Sequence, residues 1–358
     1  MLPSDIFKLK VELQSEGLHS ESIHSMIFKK SGAGPSGMIS LTLPGNHCAW
    51  IPATLPIFSA SPNKLHAENG KFLVAERFFD KTPVEVTKMP NFYSKITSKG
   101  IPMHKLGLLH GKDCIGTTIN PNCYYWKIDK PCHFCGIEAP VKAGHSIGEK
   151  DPNQFIEVLD EAKKEGLCNH VTLTTGATEN KDEEIAIYST FVRKVKEVFD
   201  IPIHVQLTPP KNLERLSELS DAGVDTVGIN IESLDPMIFN KICPGKARDN
   251  GRSMYANAWK AAINIFGEAQ VSSFVIMGLG ENMQVTLLEL EKMVRFGCVP
   301  FITSFTPVVG SLMETISPPS FNYMLETYRS VATIIRKYGL DLTKSKAGCV
   351  RCHACSAL

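Results

Sequence analysis

Strand-like and helix-like segments alternate six times between residues 113 and 340, which predicts an α/β chain built on a parallel (β/α)6-type partial TIM barrel. The strand candidates are short and apolar, and glycines stop the helices at Gly166, Gly223, Gly297 and Gly339. Such strands, buried on both faces, belong to parallel sheets. Two flanks complete the division: a β-rich extension over 1–112 and a cysteine-rich tail over 341–358.

In order, residues 1–30 read as a short helical segment of mixed polarity. From Ser31 to about Gly111, Gly, Pro and Asn punctuate the runs Met38–Leu43, Phe72–Ala75 and Val84–Thr87, a pattern expected of a small sheet. Strand one spans Cys114–Ile119. A helix then starts at Asp151-Pro152, a capping residue followed by proline, with Phe155, Val158, Leu159 and Ala162 on one face. His170–Thr175 is strand two and Glu183–Phe199 its helix; Ile201–Leu207 is strand three, followed by a helix through Leu213, Leu216 and Leu219. Val224–Ile231 is strand four, with Met254–Phe266 the clearest helix after it. Val271–Met277 and Met283–Phe296 form the fifth unit, and Pro300–Phe305 and Phe321–Tyr338 the sixth.

Composition narrows the function classes. A net charge of +1 offers no footprint for nucleic acid. No stretch nears the roughly 18 apolar residues of a membrane span, and Met1–Lys8 lacks a basic flank before an apolar run, so no secretory signal is expected. The eleven cysteines are clustered, which suits metal ligation in the cytoplasm better than a disulfide framework.

The chemistry concentrates in two triplets. Cys123, Cys132 and Cys135 follow strand one, and three thiolates on one loop can hold three irons of a cubic iron–sulfur cluster with the fourth open. Cys114 competes for the first position, and zinc is the alternative occupant of Cys132-x-x-Cys135. Cys349, Cys352 and Cys355 form a second triplet in the tail. An auxiliary iron–sulfur cluster is the preferred occupant there, with its fourth ligand from Cys48, Cys114, a serine or the substrate. Zinc with His353 is the alternative. Folded back over the barrel mouth, the tail would bring this cluster to the substrate. Cys168, Cys243 and Cys298 read as ordinary buried thiols.

Distinctive residues recur where strands end, the rim at which parallel barrels collect chemistry. With the Cys123-to-Cys135 loop, whose Phe134 precedes the last cysteine, they resemble the radical S-adenosylmethionine (SAM) superfamily over roughly residues 113–310. The first gap, eight residues, is longer than the family's usual three. The resemblance implies that Cys123, Cys132 and Cys135 hold a catalytic [4Fe-4S] cluster with an open iron. It implies contacts to SAM from Phe134, from Thr174, Thr175 and Gly176 in the amino-group segment, and from Glu232 and Ser233 at the ribose and carboxylate. Around adenine it implies Ile276, Gly278 and Glu281, with Phe274 in place of the first glycine of that motif, and Phe305 with Pro307. Lys246 and Arg248 are candidates for a SAM or substrate carboxylate, or solvated loop charges.

The whole chain resembles the biotin-synthase-related group. Its tail and the Ser31–Pro35 turn are similar to the nitrilase-cluster-associated radical SAM family, and two clusters in one barrel are similar to two-component lipoyl synthases. The resemblance implies reductive cleavage of SAM to a 5′-deoxyadenosyl radical, hydrogen abstraction and sulfur insertion. An electron donor such as ferredoxin or flavodoxin, and an acylated carrier protein or a partner radical SAM subunit, would assist. Another reaction class, rearrangement or methyl transfer, with the tail cluster as electron relay or substrate anchor, is the alternative. A zinc-binding structural protein is the second.

Overall fold

The computed structural model describes residues 2–19, 37–68, 71–75 and 81–358; the Gly32–Pro35 turn lies outside them. Five strands form an antiparallel sheet ahead of the barrel: β1 (Met38–Leu43), β2 (His47–Pro52), β3 (Lys64–Glu68), β4 (Lys71–Ala75) and β5 (Thr82–Val86), in the order β2-β1-β5-β4-β3. The helix Pro3–Glu16 packs Ile6, Leu9 and Leu13 on this sheet. Its other side faces the barrel, where the Phe7 ring meets Tyr328 edge-on at 6.2 Å.

The second sheet has seven strands: β6 (Leu108–His110), β7 (Cys114–Thr118), β8 (His170–Thr174), β9 (Ile203–Leu207), β10 (Thr226–Ile229), β11 (Val271–Met277) and β12 (Val299–Ser304), ordered β12 to β6. Strands β7 to β12 run parallel. β6, which no sequence pattern announced, pairs antiparallel with β7 and ends the sheet. His110 of β6 and Thr303 of β12, on the two edge strands, line one cavity, so the sheet curls into an open half-barrel.

The strands alternate rather than run continuously apolar. Outward, Val171, Leu173, Val205, Val227, Val275 and Met277 join Phe155, Leu159, Tyr188, Tyr255 and Tyr328 of the helices in one core. Burying each such side chain is worth about 1.5–3 kcal/mol. Inward, Cys114, Gly116, Thr118, Thr172, Thr174 and Gln206 fall on alternate positions. Parallel barrels are usually filled by bulky branched residues. Small polar residues here leave a lumen of about 960 Å³.

The tail does not fold over the mouth. It plugs the opposite end, where the strands begin. Gly348 N–H donates to Nδ1 of His170, the first residue of β8, at 3.2 Å. Thr226, the first of β10, donates to Ala347 O at 3.4 Å. Gln270, just before β11, donates to Lys344 O at 2.8 Å and accepts from Lys346 N at 3.1 Å. From the other side, Lys10 Nζ reaches His353 O at 2.6 Å, Gln14 Nε2 reaches Ala354 O at 2.9 Å, and Trp50 N reaches Ala354 O at 2.8 Å. The reason is polar accounting. A chain end pressed against buried backbone needs partners, and the strand starts and the first helix supply them.

Candidate active site

At the mouth, β7 runs out into the loop that carries the first triplet. Cys123 opens a short helix, Tyr124–Lys127, and Tyr124 N–H donates to Ala177 O at 2.7 Å. The loop passes so close to the end of β8 that a Cβ on Gly176 would lie 2.2 Å from Asn122 O and 3.0 Å from Cys123 Cα. Only glycine fits there. Farther on, Cys135 N–H turns back to Cys132 O at 3.0 Å, and His133 N–H is fixed to Ile242 O at 2.9 Å. All three cysteines line the lumen. Cys123 lines the lumen near Cys132 and Cys135, while Cys114 sits at the opposite end of β7, within electrostatic reach of Cys349.

Charge is arranged around Cys132. The Cys243 thiol hydrogen-bonds to it and lowers its pKa, helped by the Lys246 ammonium. Burial pushes Cys135 up to about 12, and the neighbouring Cys132 and Cys123 add to the rise. Lys246 is buried, which works against its charge, but the Glu232 carboxylate at 2.9 Å and the nearby thiols hold it protonated. Lys246 also donates to Asn230 O at 2.8 Å. Glu232 itself sits at φ +70°, a left-handed conformation that a non-glycine residue adopts only under constraint from its surroundings. Arg248, by contrast, is exposed and pairs with Asp249.

Of the residues singled out at the rim, Phe134, Thr174, Thr175, Gly176, Glu232, Ile276 and Phe305 line the lumen. Ser233 and Gly278 do not. Ser233 is buried, and Gly278 packs its backbone against the Pro319 ring. Glu281 accepts from Gly278 N and Leu279 N at 2.7 and 2.8 Å, so it braces its own loop. At the base, Cys349, Cys352 and Cys355 line the same lumen, together with Cys114.

Sequence reading missed several members. Cys243 touches Cys132 only through tertiary contact, which spacing does not encode. His110, Trp50, Gln14 and Met38 reach the lumen from the extension and from β6. The alternation of Thr172, Thr174 and Gln206 was the available signal for a polar interior.

A curled parallel half-barrel with a three-cysteine loop at its mouth defines a class. Residues 129–292 match the Radical SAM superfamily. The class implies a [4Fe-4S] cluster and SAM. Three thiols framing one side of a lumen of about 960 Å³ suit such a pair, since small-molecule sites occupy roughly 300–1,000 Å³. Among the described residues, no three His, Cys, Asp or Glu donors close on a single metal ion.

One relative is bacteriochlorophyllide c C-7(1)-hydroxylase of Chlorobaculum limnaeum, 29% identical over 140 residues, which are 39% of this chain and 35% of that protein. The match thus spans about a third of that relative's length. Among solved structures, methylornithine synthase has a TM-score of 0.49 at 19% identity, covering 64% of each chain. A radical SAM methyltransferase from Sphaerobacter thermophilus has a TM-score of 0.49 at 10% identity, covering 77% of this chain and 76% of its own. No helix among the described residues is long and apolar enough to cross a membrane.

Proposed function

We propose that this chain reductively cleaves SAM at the barrel mouth and inserts sulfur into a substrate held in the lumen, as a biotin-synthase-related enzyme with an auxiliary cluster on the tail triplet. One observation carries the reading: a single lumen is walled by Cys123, Cys132 and Cys135 at one end and by Cys349, Cys352 and Cys355 at the other. The four residue steps from Cys114 to Thr118 put about 13 Å of strand between the two ends, room for one substrate.

Cys123, Cys132 and Cys135 would hold the SAM-binding cluster. Bound there, cluster and SAM supply one electron and a hydrogen-abstracting adenosyl radical. The chain's own residues position and shield. Phe134 and Phe305 would offer flat aromatic surfaces to adenine and Ile276 an aliphatic one. Glu232, fixed by Lys246, is set to accept from ribose hydroxyls. Thr174, Thr175 and the Gly176 backbone, which line the lumen, would receive the amino group of SAM. Ser233 and Gly278 act indirectly, by shaping the ends of their strands. A ferredoxin or flavodoxin would deliver the electron, and an octanoylated carrier protein fits sulfur insertion as substrate.

The test is an anaerobic single turnover. Expected are 5′-deoxyadenosine, a sulfur-containing product and loss of the tail cluster, and Cys352→Ala should keep the first while losing the second. An intact tail cluster beside sulfur-containing product defeats sulfur donation, and zinc without iron after reconstitution defeats the whole reading. A second reading, sulfur-free functionalisation with the tail cluster as relay or anchor, is favoured by the name of the hydroxylase relative.

A further inference from the structure

We propose that Cys114 is the fourth ligand of the tail site, which makes that site a closed four-thiolate cluster at the base of the barrel, with Lys10 as its counter-charge. The proposal rests on the auxiliary-cluster reading above and specifies it.

The short helix Gly348–Cys352 puts Cys349 and Cys352 three residues apart, on one face. His353 then takes a left-handed conformation, φ 53°, and reverses the chain, which returns Cys355 to the same lumen. Across from them Cys114 opens β7 on its lumen face, buried, with its sulfur 3.3 Å from Thr172 Oγ1. The turn just before Cys114 abuts the triplet directly, since a Cβ on Gly111 would lie 2.6 Å from Cys352 Sγ. Gln206 Nε2 stands 3.5 Å from Cys349 Sγ, the kind of donor that supports a cluster thiolate.

Two rival ligands lie off the lumen wall. Cys48 packs in one buried cluster with Cys352 and Cys355, but its sulfur pairs with Ser40 Oγ at 3.6 Å in the extension sheet and does not line the lumen. His353 is also absent from the wall. The Lys10 ammonium is buried, donates to His353 O at 2.6 Å and has the Cys48, Cys352 and Cys355 sulfurs within electrostatic reach. A buried cation needs a compensating anion, and a cube held by four thiolates is one. Four protein ligands leave no iron open for SAM or substrate, so this site would differ from the mouth in kind.

The experiment uses the full chain carrying Cys123→Ala, Cys132→Ala and Cys135→Ala, reconstituted without oxygen. About four irons and four sulfides per chain should remain, with no spectral response to SAM. Adding Cys114→Ala should expose one iron, so that mild ferricyanide oxidation yields a three-iron signal in electron paramagnetic resonance. Cys114→Ser, nearly isosteric, should keep all the iron with one site distinct in Mössbauer spectra. Cys48→Ala should change neither, and Lys10→Met should move the reduction potential more negative.

An unaltered all-thiolate signature in Cys114→Ala overturns the fourth ligand alone and leaves the auxiliary cluster standing. No iron in the triple variant, or zinc in its place, overturns both. Should the triple variant fail to fold, the same oxidation of Cys114→Ala in the otherwise native chain, with SAM protecting the mouth cluster, gives the same decision.

Discussion

The two cysteine triplets meet one lumen from opposite ends and are built by different means. The mouth triplet lies within a single loop, and its supports are nearby strand ends: Gly176, Glu232 and the Cys243–Lys246 segment. The tail triplet is seated by residues from five separate segments, namely Lys10, Trp50, His170, Thr226 and Gln270. The difference teaches where information resides. Residue spacing announces both triplets, whereas the rim at which the tail triplet is seated depends on tertiary contacts that spacing does not encode.

The largest expected effect tests whether the ends are independent. Cys132→Ala should abolish SAM-dependent 5′-deoxyadenosine formation while the chain still binds about four irons at the tail. Loss of all iron in that variant would mean that the two ends form one unit, and the comparison would collapse.

Next comes the buried pair at the mouth. Lys246→Met leaves the Glu232 carboxylate without its cation in a site where both side chains are largely buried. Breaking such a pair costs about 3–5 kcal/mol. Urea denaturation of the apo chain should show that loss, and the double variant with Glu232→Gln should recover most of it. If Lys246→Met costs nothing, the pair is not what fixes Glu232.

How much of this was legible follows the same division. The strand Val271–Met277 and the helix Phe321–Tyr338 match their sequence expectation residue for residue, because periodicity and the stop at Gly339 are local signals. The outer face of the barrel followed for the same reason. The inner face was misjudged, since His170-Val-Thr-Leu-Thr174 reads as an apolar run unless each second residue is assigned to a lumen. The direction of the tail was also misjudged, because no feature of residues 341–358 says which rim they meet. His170 and His204, which identify that rim, announce themselves only once the sheet has formed and the tail has docked.

A smaller effect probes how tightly the tail is seated. Gly348 has φ +80°, and a Cβ there would lie 2.4–2.8 Å from the His204 ring. Gly348→Ala should cost about 1–3 kcal/mol in backbone strain and deplete tail iron, with 5′-deoxyadenosine formation unchanged. The matching change at the mouth, Gly176→Ala, should reverse the pattern and spare the tail iron. Equal losses at both ends from either change would erase the distinction.

The smallest effect is a pH dependence confined to the base. His204 is buried beneath the tail, with Nδ1 2.7 Å from Thr226 Oγ1. Burial, together with the neighbouring His170, holds its pKa down to about 3 from an ordinary 6.5. The folded chain therefore binds fewer protons than the unfolded one between those values, and stability falls as pH drops below 6.5. Each pH unit inside that window removes up to about 1.4 kcal/mol for this one group. His204→Gln, which keeps a partner for Thr226, should flatten the slope of apo stability between about pH 6 and pH 5 by that amount. His170, whose pKa burial also lowers, would sustain the remainder. Hydrogen exchange should then show residues 344–355 opening in acid before the Cys123–Cys135 loop does. If the loop opens first, acid does not act through the base of the barrel.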